Sequence, residues 1–218
     1  MHTAVAVRAA SLLTGLALGL TAWGQQPGDL AVVRRVDDHY NHLRSLRARY
    51  TEHYTGMGMD RSESGTLELE KPGRMRWAYD APAGKLFVLD GKYAWSYTPG
   101  DAQVARMEAK KLDDLRSPLR FLLGHTQLAK ELDGLAVKPV GDGSSITGVP
   151  KGMGQRVRLL TLSVDAAGAI RKMRLEEMDG AVTEFVFTGI AENMPLAAGD
   201  FVFHVPAGVG VVDGMPPV

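Results

Sequence analysis

Gly65-Thr66-Leu67-Glu68-Leu69-Glu70-Lys71-Pro72-Gly73-Arg74-Met75-Arg76-Trp77-Ala78-Tyr79 is the stretch that decides the fold of this chain. Leu67 and Leu69 alternate with Glu68 and Glu70. After the break at Lys71-Pro72-Gly73, Met75, Trp77 and Tyr79 alternate with Arg74 and Arg76. Two period-two segments joined by a tight break read as paired antiparallel strands with one apolar and one polar face. Working outward, residues 48–54 alternate in the same way, and the Gly56-Met57-Gly58 region reads as a hairpin turn. Downstream, the short apolar run 86–89 is followed directly by Asp90-Gly91, a strong hairpin signal. Tyr93, Trp95 and Tyr97 then share one face of the next strand, Pro99-Gly100-Asp101 turns again, and residues 103–107 pair back.

On either side of this meander the period changes. Leu30, Val33, Val36, Tyr40, Leu43 and Leu46 recur at steps of three and four, predicting a helix from Asp29 to about Arg47 with Asp29 as its N-cap. Alternation is lost over 110–133. There, Ser117-Pro118-Leu119 reads as a helix start, Phe121-Leu122-Leu123-Gly124 ends it, and a second short helix is expected over 127–132. Strands are predicted again at 136–140, 144–149, 156–164, 170–178, 182–190 and 201–205. Sequential strands joined by tight turns make a long meander, which curls into a barrel or half-barrel. The first helix and the helical insertion are the elements available to cover its open side.

Composition bounds the function. The chain has 218 residues, 25 basic and 25 acidic, and 45% hydrophobic residues, so a single globular domain is expected and a phosphate backbone is a poor partner. It has no cysteine, hence no disulfide and no thiol nucleophile. Residues 1–24 read as a cleaved secretory signal: His2 and Arg8, an apolar stretch over 9–22, then Ala22-Trp23-Gly24 with small residues at the cleavage-recognition positions. The rival is an uncleaved anchor. The mature domain is then 25–218. No nucleophile elbow, Walker loop or zinc-protease motif is present, so no enzyme activity and no cofactor are expected. His39 and His42, with Asp38, have a spacing that could hold a metal, but a solvated helix flank explains them better, and no metal site is expected. The aromatic faces and the ten methionines leave two readings open, an ordinary core or an apolar ligand cavity.

Four segments decide between them by resemblance. The opening quotation resembles the G-x-L-x-[VL]-x-[RK]-P-x-x-[FM]-x-W segment of the periplasmic outer-membrane lipoprotein carrier family, LolA. The segment from Val88 through Asp90-Gly91-Lys92, Trp95 and Tyr97 to Pro99 is similar to its S-D-G-K-x-x-W-x-Y-x-P run. Residues 117–123 resemble its lid, and residues 201–213 its closing F-x-F-x-x-P-x-G-V-x-V-x-D. The resemblance implies an unclosed antiparallel β-barrel with a helical lid and an N-terminal helix. It also implies a monomeric, non-enzymatic periplasmic carrier that shields lipoprotein acyl chains. Such a carrier takes them from an inner-membrane lipoprotein-releasing ABC transporter to an outer-membrane receptor, or to the outer membrane itself. The alternatives on the same fold are a carrier of a glycolipid or free lipid, and a lipid- or peptide-sensing envelope module. By position, the resemblance and strand parity assign Tyr40, Leu43, Met75, Trp77, Phe87, Trp95 and Tyr97 to the acyl-chain cavity. They assign Leu119, Phe121, Leu122 and Leu123 to the lid. Lys71 stands where the family usually has an arginine that latches the lid, with Arg74 as a substitute.

Overall fold

The computed structural model describes residues 27–81, 83–111 and 127–214. Helix α1 (Pro27–His42) leads into β1 (Ser45–Gly56), β2 (Met59–Glu70), β3 (Arg74–Ala81), β4 (Leu86–Asp90), β5 (Tyr93–Tyr97) and β6 (Gln103–Glu108). Then come the one-turn helix α2 (Leu128–Glu131), β7 (Leu132–Val140), β8 (Gly143–Pro150), β9 (Val157–Val164), β10 (Ile170–Glu177), β11 (Val182–Glu192), a 3-10 turn (Ala198–Phe201) and β12 (Gly210–Asp213).

Among the described residues all the strands lie in one 12-stranded sheet, in the order β12-β6-β5-β4-β3-β2-β1-β11-β10-β9-β8-β7. It consists of two antiparallel meanders, joined where β1 pairs with β11 from Leu46↔Glu192 to Thr55↔Val182. Among the described strands only β12 runs parallel to its neighbour, with Val211 opposite Val104 of β6. The edges β7 and β12 do not pair with each other, so the barrel is open. A flat sheet of this many strands would be about 50 Å wide, whereas α1 is about 24 Å long. Yet one contiguous apolar cluster runs from Leu89 on β4 to Ile146 on β8 and includes Val33, Val36, Tyr40 and Leu43 of α1. Burial on that scale requires the sheet to curl around the helix, as long twisted sheets do. The predicted half-barrel is the observed one.

Two boundaries differ from the sequence reading. The helix ends at His42 rather than near Arg47, and Leu46 is a strand residue opposite Leu69. Backbone groups there have partners outside the helix: Arg44 N–H donates to Asn193 Oδ1 at 2.9 Å, and the Arg44 carbonyl accepts from Lys71 N–H at 2.9 Å. The second difference is at 201–205, which is not a strand. Phe201 closes the 3-10 turn, and the terminal strand is Gly210–Asp213. The alternation of Phe201 and Phe203 reflects one apolar side lying on the sheet, without a hydrogen-bonded ladder. Among the described residues, no helix is long and apolar enough to cross a membrane.

Candidate functional site

Residues opposite each other in a sheet point the same way, so the register assigns every side chain to the concave or the convex face. One concave row can be followed strand by strand: Glu63, Glu52, Phe185, Met173, Leu162, Ile146 and Val137. The neighbouring rows hold Tyr79, Gly65, Tyr50 and Phe187, then Phe87, Trp77, Leu67 and Ala48. The aromatic rings meet edge to face: Tyr50 and Trp77 with centroids 4.5 Å apart, Trp77 and Phe185 at 5.5 Å, and Tyr50 and Tyr79 at 5.6 Å. Trp77 Nε1 donates to Met75 Sδ at 2.9 Å, which satisfies a buried N–H with a soft acceptor. Gly65 makes room for this arrangement. A Cβ there would lie 2.7 Å from the Tyr50 hydroxyl and 2.1 Å from the Ala78 carbonyl oxygen.

Of the residues assigned from sequence, Tyr40, Leu43, Met75, Trp77 and Phe87 are all buried in this concave cluster. The Tyr40 hydroxyl accepts from Ile170 N–H at 3.0 Å, tying the end of α1 to the start of β10, and burial pushes its phenol well above the ordinary range. Trp95 and Tyr97 lie on the other face, a correction to the sequence reading. Phe87 is opposite Ser96 and Val88 is opposite Trp95, so β5 turns its aromatic residues to the convex side. There Trp95 stacks on Phe203 at 5.4 Å and donates through Nε1 to Asp90 Oδ2 at 2.8 Å. Arg106 lies over the Tyr93 and Trp95 rings and holds Asp213 of β12 at 2.8 Å. A small separate convex core includes Val88, Val104 and Phe201.

The lid residues Leu119, Phe121, Leu122 and Leu123 lie outside the described residues. Lys71 Nζ donates to the Tyr40 carbonyl oxygen, at the end of α1, and burial lowers its pKa. Arg74 is on the convex face, paired with Glu70 at 2.6 Å and lying over the Phe201 ring. His39 Nε2 lies 2.9 Å from Glu192 Oε1, whereas His42 Nδ1 donates to the Asp38 carbonyl of its own helix at 2.8 Å, so the two rings have different partners.

Sequence reasoning missed Tyr50, Phe185, Phe187, Glu52 and Glu63 on the concave face. At the end of that face, away from α1, Glu63 is buried and held by Lys85, whose Nζ donates to both carboxylate oxygens at 2.9 and 2.7 Å. Lys85 also sits 4.2 Å from the Tyr79 ring centroid. Glu52 stands directly across from Glu63, and burial, reinforced by the Glu63 charge, raises its pKa. The same end carries the neighbouring β1–β2 and β10–β11 turns, whose Met57, Met59 and Met178 are 81%, 55% and 59% exposed.

Comparison with known proteins gives a consistent result. A model of the family "Outer membrane lipoprotein carrier protein LolA" matches residues 41–204. A protein named outer-membrane lipoprotein carrier protein from Nitrosospira multiformis is 32% identical over 151 residues, covering 68% of this chain and 72% of its own length. Its namesake from Pseudomonas aeruginosa is 30% identical over 200 residues, covering 90% and 94%. Among solved structures, the lipoprotein LppX of Mycobacterium tuberculosis aligns with a TM-score of 0.52 at 16% identity, covering 80% of this chain and all (100%) of that one. That likeness is one of fold alone.

Proposed function

The chain belongs to the LolA family of outer-membrane lipoprotein carrier proteins, and from that premise we propose how its concave face carries cargo. It is a periplasmic carrier that shields the acyl chains of lipoproteins while they move from the inner to the outer membrane. The observation that supports this most is the continuous apolar row from Phe185 to Val137, flanked by Trp77, Tyr50 and Phe187. Burying one methylene is worth roughly 0.8 kcal/mol, so long acyl chains do not cross water unshielded. Leu67, Leu160, Leu162 and Ile146 are fully buried against their neighbours, so cargo enters by displacing packed side chains and α1 contacts. The work of opening offsets the gain of binding, which keeps hand-off to an acceptor close to balance.

In this reading residues 1–24 are a cleaved export signal and 25–218 a single carrier domain that acts as a monomer without catalysing a reaction. It receives cargo from an inner-membrane lipoprotein-releasing ABC transporter and delivers it to an outer-membrane receptor or to the outer membrane itself. Leu119, Phe121, Leu122 and Leu123 form the lid. Lys71, already bonded to the α1 carbonyl of Tyr40, is the latch. The test is purification of the mature protein from the periplasm, followed by native mass spectrometry. Co-purified acylated proteins or their N-terminal fragments are expected. A free glycolipid or phospholipid as the sole companion would overturn the lipoprotein assignment. Lys71→Leu is expected to change the rate of cargo transfer to outer-membrane acceptors, and an unchanged rate would place the latch elsewhere.

A further inference from the structure

The concave side of β1–β4 changes character level by level, counted from the end that α1 covers. Leu46, Leu69, Met75 and Leu89 face one another at the first level, and all four are buried. That end is tied to the helix: the Arg44 carbonyl accepts from Lys71 N–H, and Lys71 Nζ donates to the Tyr40 carbonyl oxygen. Ala48, Leu67, Trp77 and Phe87 make the second level. At the third, Gly65 stands between Tyr50 and Tyr79, whose hydroxyls are hydrogen-bonded to each other. One step further the face is charged. Glu52 and Glu63 lie opposite each other on β1 and β2, and Lys85, just before β4, donates to both Glu63 oxygens. Arg61 Nε lies 3.6 Å from the same carboxylate.

A solvated rim would explain charges at the end of a barrel. Glu63, however, is 5% exposed, so its partners are protein cations rather than bulk water. A buried ion pair gains little over apolar packing, and its presence under an apolar column calls for a further reason. Phe185 and Phe187, stacked on β11 with Trp77 against Phe185, wall the same column on its other side. Its depth follows from the register. Leu46 to Glu52 on β1, and Leu69 to Glu63 on β2, are the same number of strand steps, and each spans roughly 20 Å. An extended acyl chain of about sixteen carbons, with C–C bonds of about 1.5 Å in a zigzag, spans about 19 Å.

We propose that Glu52, Glu63 and Lys85 form the floor of the acyl-chain channel between β1 and β4, and that this floor sets the length of chain the carrier takes. This rests on the carrier reading above and adds a length limit to it. Methylenes down to the floor replace apolar side chains. Methylenes beyond it would have to part Glu63 from Lys85, leaving buried charges without partners.

The experiment measures binding of a series of N-acyl peptides to the mature protein by calorimetry. The peptide is constant and the chain runs from about ten to about twenty carbons. Affinity is expected to rise about fourfold per methylene up to about sixteen carbons, the worth of one buried methylene, and by less than about 1.5-fold per methylene beyond. An unbroken rise through the longest chain overturns the floor and leaves the carrier intact, as does a break below about fourteen carbons, and this series needs no variant to fold. Replacing the ion pair as a unit, Glu63→Leu with Lys85→Leu, should move the break to longer chains. A break unmoved in that variant, once it is shown to be folded, overturns the assignment to these two residues. If no probe of any length binds, the carrier reading fails, and the floor fails with it.

Discussion

Glu52 shows how a single residue can cost stability. Its pKa is raised chiefly by burial and then by Glu63, so the folded protein disfavours the charged form. For such an acid the cost is absent below the unfolded value of about 4.3 and grows as pH rises through the folded value. Glu52→Gln is therefore expected to raise the melting temperature at pH 7, with the gain closing by about pH 4. An equal gain at both pH values would show that charge is not the cause. Asp165 works in the opposite direction. Burial pushes it up, but the Arg171 guanidinium and the N–H groups of Ala169 and Ala167 outweigh that and hold it low. Its contribution is present above about pH 3.9 and is lost as pH falls through the lowered value. Asp165→Asn should thus destabilise at pH 7 and be nearly silent near pH 2, as read by urea unfolding. Neither Glu52 nor Tyr50 stood out in the sequence. A glutamate in an alternating strand normally marks the wet face, and only the pairing with Phe185 places Glu52 on the other side.

At the scale of elements, the β3–β4–β5 meander was legible as strands, but the face of β5 was misread. Trp95 and Tyr97 share odd numbers with Trp77 and Phe87, and parity within one strand was extended across two turns. The Asp90-Gly91-Lys92-Tyr93 turn pairs Val88 with Trp95, and that odd offset sends odd-numbered residues of β5 to the opposite face from those of β4. Counting the two loop residues after Asp90 was the available signal. The convex aromatic group has its own role. With Phe201, Phe203 and the Arg106–Asp213 pair it fixes the C-terminal segment against β3, β4 and β6. Phe201 is 1% exposed, so Phe201→Ala is expected to cost about 3–5 kcal/mol in urea unfolding. It should also speed hydrogen exchange in β12 and β6. A loss below about 1 kcal/mol would mean that the segment is only loosely attached.

Across the whole molecule, the sheet has a centre and two ends. β1 is paired along its length on both sides, with β2 and with β11, whereas β7 and β12 each have one neighbour. Opening in an unclosed barrel begins where backbone hydrogen bonds are fewest. Hydrogen exchange should therefore be slowest in β1, β2 and β11 and fastest in β7 and β12, and uniform protection across the sheet would contradict this. The global plan was legible because alternation and turn residues agree along nearly the whole chain. The join between β1 and β11 was not, because it links residues more than a hundred positions apart and no local pattern records it.

The methionines also divide by position. Met75, Met153 and Met173 are 1%, 6% and 1% exposed, while Met57, Met59 and Met178 stand in or beside the two turns at the end of the sheet away from α1. With no cysteine in the chain, thioethers are its main sulfur target for oxidants. Mild peroxide treatment should convert the turn methionines to sulfoxides first and leave the melting temperature unchanged, as followed by peptide mass mapping. The damage would make the rim polar while the interior kept its shape, and reductase repair could reach every affected side chain without unfolding the protein.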